Sequence, residues 1–383
     1  MSLDRRVPAR LAKLDARGLL RRLRPPAGID LSSNDYLGLA THPLLKERMA
    51  DAVLREGCGS TGSRLLTGDR ESFSAVERRF AKFKGTERSL YFSSGYLANL
   101  GVLTTFPDAG DTVFSDELNH ASLIDGIRLS RARHIIFHHN DVETLGQLIR
   151  QDAGQGQKFV VVESLFSMDG DLAPLAAYAA LCKETGAALI VDEAHAVGIY
   201  GEHGSGLIEL TGVGKDVLVS INTAGKALGV SGAFVAGPAW SIDYLIQRAR
   251  SFAFSTAPPP SLATALEASL TVIATEPERR NQLRASARYL RDQLKRAKIT
   301  IPDGDSQIIS VVVGKNHAAV ALAMALQDKG FDVRAIRPPS VPAGTARLRV
   351  SVNAKVSKPM LDSFVIALEH GLRETMPCSV ASS

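Results

Sequence analysis

The sequence lacks the features that mark membrane proteins and disulfide-stabilised scaffolds. No apolar run approaches the roughly 18 residues that a membrane-spanning helix needs, and the longest runs, such as AALIV and SVVVG, have the length of strands. The three cysteines, Cys58, Cys182 and Cys378, lie far apart and form no Cys-x-x-Cys pair, so neither a zinc site nor a disulfide framework is indicated. We expect reduced thiols in a cytoplasmic protein that has no membrane partner.

Internal repeats and low-complexity tracts are also missing. Hydrophobic residues make up 45% of the 383 positions and charged residues 22%, which is typical of globular proteins and excludes a collagen-like or disordered chain. The formal net charge of +5 favours an anionic ligand, a nucleic acid or an anionic surface as a partner. Because basic and aromatic residues form no common stripe, we expect no nucleic acid partner.

The first 24 residues are basic and contain no apolar signal-peptide core. They predict a short amphipathic helix. The alternatives are a transit peptide, a nucleic-acid-binding segment, or a segment in which one arginine binds an anionic substrate. The apolar positions of this helix would be Leu11, Leu14, Leu19, Leu20 and Leu23.

Strand-like and helix-like segments alternate from residue 89 onwards. Short β-branched runs spaced by helices predict an α/β fold with a mostly parallel sheet covered on both faces, which binds ligands beyond the carboxyl ends of its strands. A long helical pattern covers residues 258–297, and a β-α-β-β-α order follows Pro302. We predict an N-terminal helix and arm (1–45), a large α/β domain (46–275) and a small C-terminal α+β domain (276–383).

Three side chains that follow predicted strands could carry chemistry. Lys226 lies among small residues, where a lysine can lose its proton and attack a carbonyl group; this signal taken alone favours a solvated loop lysine. Asp192 ends an apolar run, where a buried carboxylate needs a partner such as a protonated pyridine; a helix N-cap is the alternative. His120 could stack on a planar group, exchange a proton or simply cap a helix.

Two further patterns indicate anion-binding groups. The strand-to-helix turn Ser94-Gly95-Tyr96 presents backbone N–H groups that suit a phosphate, and Thr223 could add a hydroxyl, although an ordinary helix cap looks the same. Arg349 alternates with apolar residues and could bind a carboxylate if it faces the interior, or it could face solvent. Together, these features fit a pyridoxal 5′-phosphate (PLP) enzyme better than a metal or nucleotide site.

The chain resembles the α-oxoamine synthases, which are PLP enzymes of fold type I. The similarity runs from about residue 14 to about residue 370, and long motifs carry it: SSNDYLGLATHP, FSSGYLANLG, NHASLIDG, ESLFSMDGD, IVDEAHAVG, TAGKALGVSGAFVAG, FSTAPPPS and AIRPPSVPAGTARLRVSV. The resemblance implies the PLP-dependent transferase fold, with a large sheet domain and a small C-terminal domain.

The resemblance also implies a role for each candidate residue. Lys226 would bind PLP covalently and exchange the proton at the substrate Cα atom, while Asp192 would pair with the pyridine nitrogen. The other PLP contacts would be His195 and Ser167 at the 3′-oxygen, and Gly95, Tyr96 and Thr223 at the phosphate. The substrate contacts would be His120, which also stacks on the ring, Arg21, Ser340, and Arg349, which would hold the amino-acid carboxylate.

Within the family, similarity is greatest to the member that condenses L-alanine with a pimeloyl thioester of coenzyme A or acyl-carrier protein. The segments RPPSVPAGTAR and KALGVSGA favour this member, and relatives that use glycine or serine stay as alternatives. The family works as a homodimer with active sites between subunits, so residues 62–66 and 255–256 are expected to complete the partner's site. A catalytically silent protein is disfavoured because the whole residue set is present.

Overall fold

The computed structural model describes residues 2–375, which form two compact units. Unit 1 comprises the residues up to 36, residues 168–171 and the residues from 281 onwards; unit 2 comprises residues 37–167 and 172–280. The domain boundaries at residues 45 and 275 stay predictions. Cys58 and Cys182 are free thiols, and Cys378 lies outside the described residues.

The helices are named in chain order. They are α1 (Leu3–Ala16), α2 (Pro43–Glu56), α3 (Glu71–Lys84), α4 (Gly95–Leu103), α5 (Ala121–Ser130), α6 (Val142–Gln151), α7 (Leu175–Thr185), α8 (Leu207–Thr211), α9 (Ala239–Arg248), α10 (Arg250–Ala253), α11 (Pro260–Thr275), α12 (Glu278–Arg296), α13 (Asn316–Asp328) and α14 (Lys358–Thr375). Within residues 2–375, no helix combines the length and the apolar character that crossing a membrane requires.

The strands follow the same convention. They are β1 (Ile29–Asp30), β2 (Arg88–Phe92), β3 (Thr112–Asp116), β4 (Arg133–Phe137), β5 (Lys158–Glu163), β6 (Ala188–Asp192), β7 (Val217–Thr223), β8 (Ala233–Gly237), β9 (Ile308–Gly314), β10 (Phe331–Asp332), β11 (Arg334–Ile336) and β12 (Ala346–Ser351).

Seven strands of unit 2 form one sheet in the order β2-β8-β7-β6-β5-β3-β4. Neighbouring strands from β7 to β4 pair in parallel, whereas β8 is antiparallel to both β7 and β2. The prediction of a mostly parallel sheet is confirmed. The carboxyl ends of β2, β3, β5, β6 and β7 therefore lie at one edge, which is where such sheets bind ligands.

The core of unit 2 explains why its strands read as continuous apolar runs. Helices α4, α5 and α9 pack one face of the sheet through residues such as Val102, Ile127 and Leu245, against Val161 and Val219 of the strands. Strand β5 is buried along almost its whole length. A strand covered on both faces needs apolar side chains on both, which favours consecutive rather than alternating hydrophobic residues.

Unit 1 contains a three-stranded antiparallel sheet, in the order β11-β12-β9, together with helices α13 and α14, which pack against each other. The N-terminal arm joins this unit through the parallel pair β1 and β10, in which Ile29 lies opposite Phe331. The order from β9 to α14 is β-α-β-β-β-α, which differs from the predicted β-α-β-β-α pattern because the single predicted strand FDVRAI forms two strands, β10 and β11, that pair in different sheets.

The N-terminal helix is shorter than predicted. It ends at Ala16, and Gly18 adopts a left-handed φ of 62° that stops the helix. None of its residues is buried, so the amphipathic pattern does not form a core-packing face here. Three of the leucines assigned to its apolar positions lie beyond its end: Leu19, Leu20 and Leu23.

The long helical pattern over 258–297 proves to be two helices, α11 and α12. The break falls at Glu276, which has φ −123° and ψ 59° and precedes Pro277. A proline disfavours the helical conformation of the residue before it, and this signal was available in the sequence.

Candidate active site

A cavity of about 190 Å³ lies at the carboxyl edge of the large sheet, within unit 2. It is lined from strand ends and from the starts of two helices. The lining residues are Gly95, Tyr96, Asn99, His120, Ser122, Glu163, Asp192, Ala194, His195, Thr223 and Lys226. The parallel topology thus gathers side chains from segments that are far apart in the sequence.

Lys226 lies in the tight turn that connects β7 with β8. Its Nζ atom is 2.7 Å from Nε2 of His195, and its side chain is half-buried, so it is not a solvated loop lysine. A hydrogen bond between two nitrogens needs a lone pair on one of them. The pair therefore carries at most one positive charge, which is the condition under which an amine of this kind can act as a base or nucleophile.

Asp192 ends β6 and is buried. Its Oδ2 atom accepts a 2.8 Å hydrogen bond from Asn99 Nδ2, and its Oδ1 atom accepts one of 2.8 Å from the backbone N–H of Ala194. The residues after it form a turn, and the next helix starts only at Leu207, so Asp192 does not cap a helix. Two neutral donors fix a carboxylate that still has the capacity to pair with a ligand cation.

His120 has both a capping role and a place in the cavity. It caps α5, because its Nδ1 atom accepts a hydrogen bond from the backbone N–H of Ser122, and the residue also lines the cavity. Since Nδ1 is an acceptor, the neutral ring carries its proton on Nε2. Desolvation by the surrounding protein, opposed by the charge of Asp192, lowers the pKa of His120, so the neutral form is favoured.

The turn at the start of α4 is shaped for close approach. Ser94 caps the helix through a hydrogen bond from the Leu97 N–H, which leaves the amides of Gly95 and Tyr96 in the first turn without an intrahelical acceptor. A Cβ atom on Gly95 would lie 2.4 Å from Oγ1 of Thr223. Only glycine therefore allows the first turn of α4 to lie this close to the Thr223 hydroxyl. The two groups can then contact the same phosphate.

The sequence analysis missed three polar residues of the cavity: Asn99, Ser122 and Glu163. Asn99 Nδ2 donates to both Asp192 and Ser122 Oγ, so it connects the strand β6 to the His120 cap. Glu163 ends the apolar run KFVVVE in the same way that Asp192 ends ALIVD. That shared pattern was the signal that could have found Glu163, whereas Asn99 lies mid-helix and gave none.

The buried arginine predicted to hold a carboxylate belongs to unit 1. Arg349 lies on β12 and donates to Asn34 Oδ1 (3.0 Å), Ser351 Oγ (2.7 Å) and the Tyr36 hydroxyl (3.2 Å), so it does not face solvent. Ser167 ends a segment of unit 2 and is not among the cavity-lining residues.

A second cavity, of about 780 Å³, is formed within unit 1. Arg21 and Ser340 both line it, and Arg21 Nη2 lies 3.4 Å from Ser340 Oγ. Arg24 and Arg337 add to its positive charge, and burial together with the charges of Arg21 and Arg24 lowers the pKa of Arg337. An accumulation of arginines at one cavity suits an anionic ligand.

The side chains that line the cavity of unit 2 have the chemistry needed to bind PLP. The Gly95 turn accommodates a phosphate, Asp192 accommodates a protonated ring nitrogen, and Lys226 can react with a carbonyl group. Buried polar atoms without a partner among the described residues, Oδ1 of Asn99 and Oε1 of Glu163, also belong to residues that line this cavity. Such atoms call for a polar ligand or water.

The fold and this cavity define a PLP-dependent enzyme of fold type I. The chain belongs to the aminotransferase class I and II family, whose model matches residues 26–368, and within that class to the α-oxoamine synthases. It is 46% identical to the 8-amino-7-oxononanoate synthase of Anaeromyxobacter dehalogenans strain 2CP-1, over 97% of this chain and 96% of that protein.

Two solved structures show the same fold. The serine palmitoyltransferase of S. paucimobilis, solved with a PLP–myriocin aldimine bound, has a TM-score of 0.91 at 29% identity and covers 98% of this chain and 99% of that chain. The 8-amino-7-oxononanoate synthase of Francisella tularensis has a TM-score of 0.79 at 28% identity, over 91% of this chain and 98% of that chain.

Proposed function

We propose that the protein catalyses the PLP-dependent decarboxylative condensation of L-alanine with a pimeloyl thioester, which yields 8-amino-7-oxononanoate for biotin biosynthesis. The observation that carries the proposal is the Lys226–His195 contact of 2.7 Å in a cavity that also holds Asp192. Sequence similarity supports this substrate choice, because curated relatives of that name are 43–46% identical. Fold similarity alone does not select the substrate, since the serine palmitoyltransferase has a higher TM-score (0.91) than the 8-amino-7-oxononanoate synthase (0.79).

The residues that would hold PLP line the cavity, with the exception of Ser167, which follows β5 in the sequence. The set is Lys226 at the aldehyde, Asp192 at the ring nitrogen, His195 and Ser167 at the 3′-oxygen, His120 on the ring face, and Gly95, Tyr96 and Thr223 at the phosphate. When bound, PLP supplies an electron sink that lets the amino acid give up its Cα proton and its carboxylate.

Lys226 and His120 move or hold protons in this reaction. Nζ of Lys226 takes the Cα proton of L-alanine. Its hydrogen bond with His195 favours the neutral amine that this step requires. The alanine Cα atom then forms a bond to the thioester carbonyl carbon, and the thiol leaves. His120, with its proton on Nε2, donates to the oxygen that becomes negative during this attack. Loss of carbon dioxide follows, and Lys226 returns a proton to the carbon.

Three residues of unit 1 bind the substrates in this proposal. Arg349 holds the carboxylate of L-alanine, for which its buried, hydrogen-bonded guanidinium is suited. Arg21 and Ser340 bind the acyl substrate in the basic cavity that they line. Pimelate is a dicarboxylate, so its free end is anionic and matches the arginines there.

We also propose a cytoplasmic homodimer with its active sites at the subunit interface. The large apolar side chains that unit 2 exposes include Leu65, Leu66 and Phe254, which lie in or next to the segments 62–66 and 255–256. Their two segments are joined by a 2.9 Å hydrogen bond from the Ala257 N–H to the Gly62 carbonyl. An exposed apolar patch of this kind favours contact with another protein surface, and sedimentation velocity of the wild type and of Leu66→Arg tests it.

Substrate specificity tests the proposed reaction directly. The PLP-loaded enzyme is mixed with pimeloyl-CoA and L-alanine, glycine or L-serine, and thiol release and product mass are measured. We expect L-alanine to be used with the highest kcat/KM. Preference for glycine or serine, with another acyl-CoA, would assign the protein to a different α-oxoamine synthase. Lys226→Ala is expected to abolish turnover, while Lys215→Ala, which changes an exposed lysine of the same unit, leaves it unchanged.

A further inference from the structure

A second carboxylate reaches the PLP cavity beside Asp192. Glu163 ends β5 and lies opposite Asp192 in the parallel register of β5 and β6. The residue is only 3% exposed, and it lines the cavity. Its Oε1 atom has no hydrogen-bond partner among residues 2–375. A buried polar atom of this kind at a ligand cavity indicates a group that pairs with the ligand or with water.

The two carboxylates are supported differently. Asp192 accepts hydrogen bonds on both oxygens, from Asn99 Nδ2 and from the Ala194 N–H. Glu163, by contrast, has no hydrogen-bond donor at its Oε1 atom among residues 2–375. Hydrogen bonds to the charged form favour that form. Asp192 is therefore the better anion, and Glu163 is the better place for a proton.

The charged surroundings of Glu163 point the same way. The charged groups that act on it come from three elements: Asp116 at the end of β3, Asp192 at the end of β6, and Lys226 after β7. The imidazole-bearing His120, at the start of α5, lines the same cavity. Burial and the Asp192 charge raise the pKa of Glu163 to about 8, although Lys226 acts to lower it. Two carboxylates that share one enclosed site do not ionise together near neutral pH.

We propose that Glu163 is a positioning residue of the cofactor site: it stays protonated, donates a hydrogen bond from Oε1 into the cavity, and leaves Asp192 as the single anionic partner of the PLP ring nitrogen. This role rests on the proposed function only in so far as the cavity holds PLP. The role of Glu163 differs from that of Asp192: Glu163 acts as a neutral hydrogen-bond donor, whereas Asp192 acts as an anion. Glutamine supplies a neutral donor of nearly the same shape, and alanine does not.

The test measures the dissociation constant of PLP between pH 6 and pH 9, without reference to turnover. The enzyme is stripped of PLP and refilled, and binding is followed by absorbance for the wild type, Glu163→Gln and Glu163→Ala. At pH 7 we expect Glu163→Gln to bind within about threefold of the wild type, and Glu163→Ala to bind about tenfold more weakly, as the loss of one buried hydrogen bond predicts. Above pH 8 the wild type should lose affinity relative to Glu163→Gln.

A matched control separates this role from general damage to the unit. Asp152→Asn neutralises another buried carboxylate of unit 2, which pairs with Arg133 at 2.9 Å and does not line the cavity. It should lower the melting temperature and leave the pH dependence of PLP affinity as in the wild type.

Two results would overturn the role of Glu163. One is equal weakening of PLP binding by Glu163→Gln and Glu163→Ala at pH 7, and the other is the same pH dependence in the wild type and Glu163→Gln. Normal PLP binding without turnover of L-alanine would instead refute the proposed reaction alone. If Glu163→Ala fails to fold, the comparison of the wild type with Glu163→Gln still decides.

Discussion

Lys84 and Glu193 form a buried ion pair in which Nζ lies 2.5 Å from Oε2, and their side chains are 2% and 0% exposed. Glu193 directly follows Asp192, and its Oε1 atom accepts the N–H groups of Leu207 and Ile208 at the start of α8. Both ends of the segment from 193 to 208 are thus fixed by one carboxylate. The segment also carries His195, so the pair holds cavity residues in place.

Removal of Lys84 should therefore destabilise the protein strongly. Lys84→Met leaves the carboxylate of Glu193 buried without its cation, which costs about 3–5 kcal/mol in comparable sites. Denaturant unfolding followed by circular dichroism measures the change, and Lys82→Met, at an exposed lysine of the same helix, serves as the control. The double variant Lys84→Met/Glu193→Gln should recover part of the loss. A loss below about 1 kcal/mol for Lys84→Met would show that the pair is not structurally important.

Gly95 should be intolerant of even the smallest side chain. The Cβ atom of Gly95→Ala would lie 2.4 Å from Thr223 Oγ1, and the stiff side chain of threonine must turn its hydroxyl away. We expect PLP to bind at least about tenfold more weakly, the equivalent of one lost charge-assisted hydrogen bond. Because Thr223→Ala removes the clash, the double variant should bind PLP as Thr223→Ala does. Additive losses in the double variant would argue against this contact as the cause.

The two arginines proposed to bind substrates should affect the KM values of different substrates. Arg21→Ala is expected to raise KM for pimeloyl-CoA about tenfold and to leave KM for L-alanine unchanged. Arg349→Lys keeps the charge but not the paired geometry of the guanidinium, so it should raise KM for L-alanine instead. Initial rates with each substrate varied in turn measure both effects. A change in the wrong KM would reassign the residue concerned.

Glu163 should also make the stability of the PLP-free protein depend on pH. Its pKa is about 8 in the folded state, against an ordinary value of 4.5 in the unfolded chain, so the folded protein binds more protons between these values. Stability that is fully present below pH 4.5 is therefore lost progressively as the pH rises to about 8. Thermal unfolding across this range should show the decline in the wild type and a smaller decline in Glu163→Gln. Parallel curves would mean that Glu163 titrates normally.

Much of the fold follows from local sequence patterns. The β-branched runs KFVVVE and ALIVD predict buried strands, and several residues that follow strands were identified as candidates for the site. The topology then needs no specific contact to collect them, because parallel strands end at one edge. Gly95, His120, Asp192, His195, Thr223 and Lys226 lie around one cavity for this reason.

Local sequence patterns did not predict the contacts between elements that are distant in the chain. Lys84 and Glu193 are 109 residues apart, and a lysine at the end of an amphipathic helix normally faces solvent. The prediction for the N-terminal helix was wrong for the opposite reason: its leucines indicated a packed face, but no residue of α1 is buried. Apolar periodicity indicates which face could be buried, and only the presence of a neighbouring element decides whether it is.

The sequence by itself determined the alternation of strands and helices, the positions of the reactive side chains after strands, and the class of cofactor that they suit. It could not distinguish the two acidic residues at the ends of β5 and β6. That difference arises because Asn99, which lies 93 residues before Asp192, reaches its carboxylate from α4, while Oε1 of Glu163 receives no such donor among the described residues. Which carboxylate keeps a proton depends on donors from other elements, and those only the tertiary structure supplies.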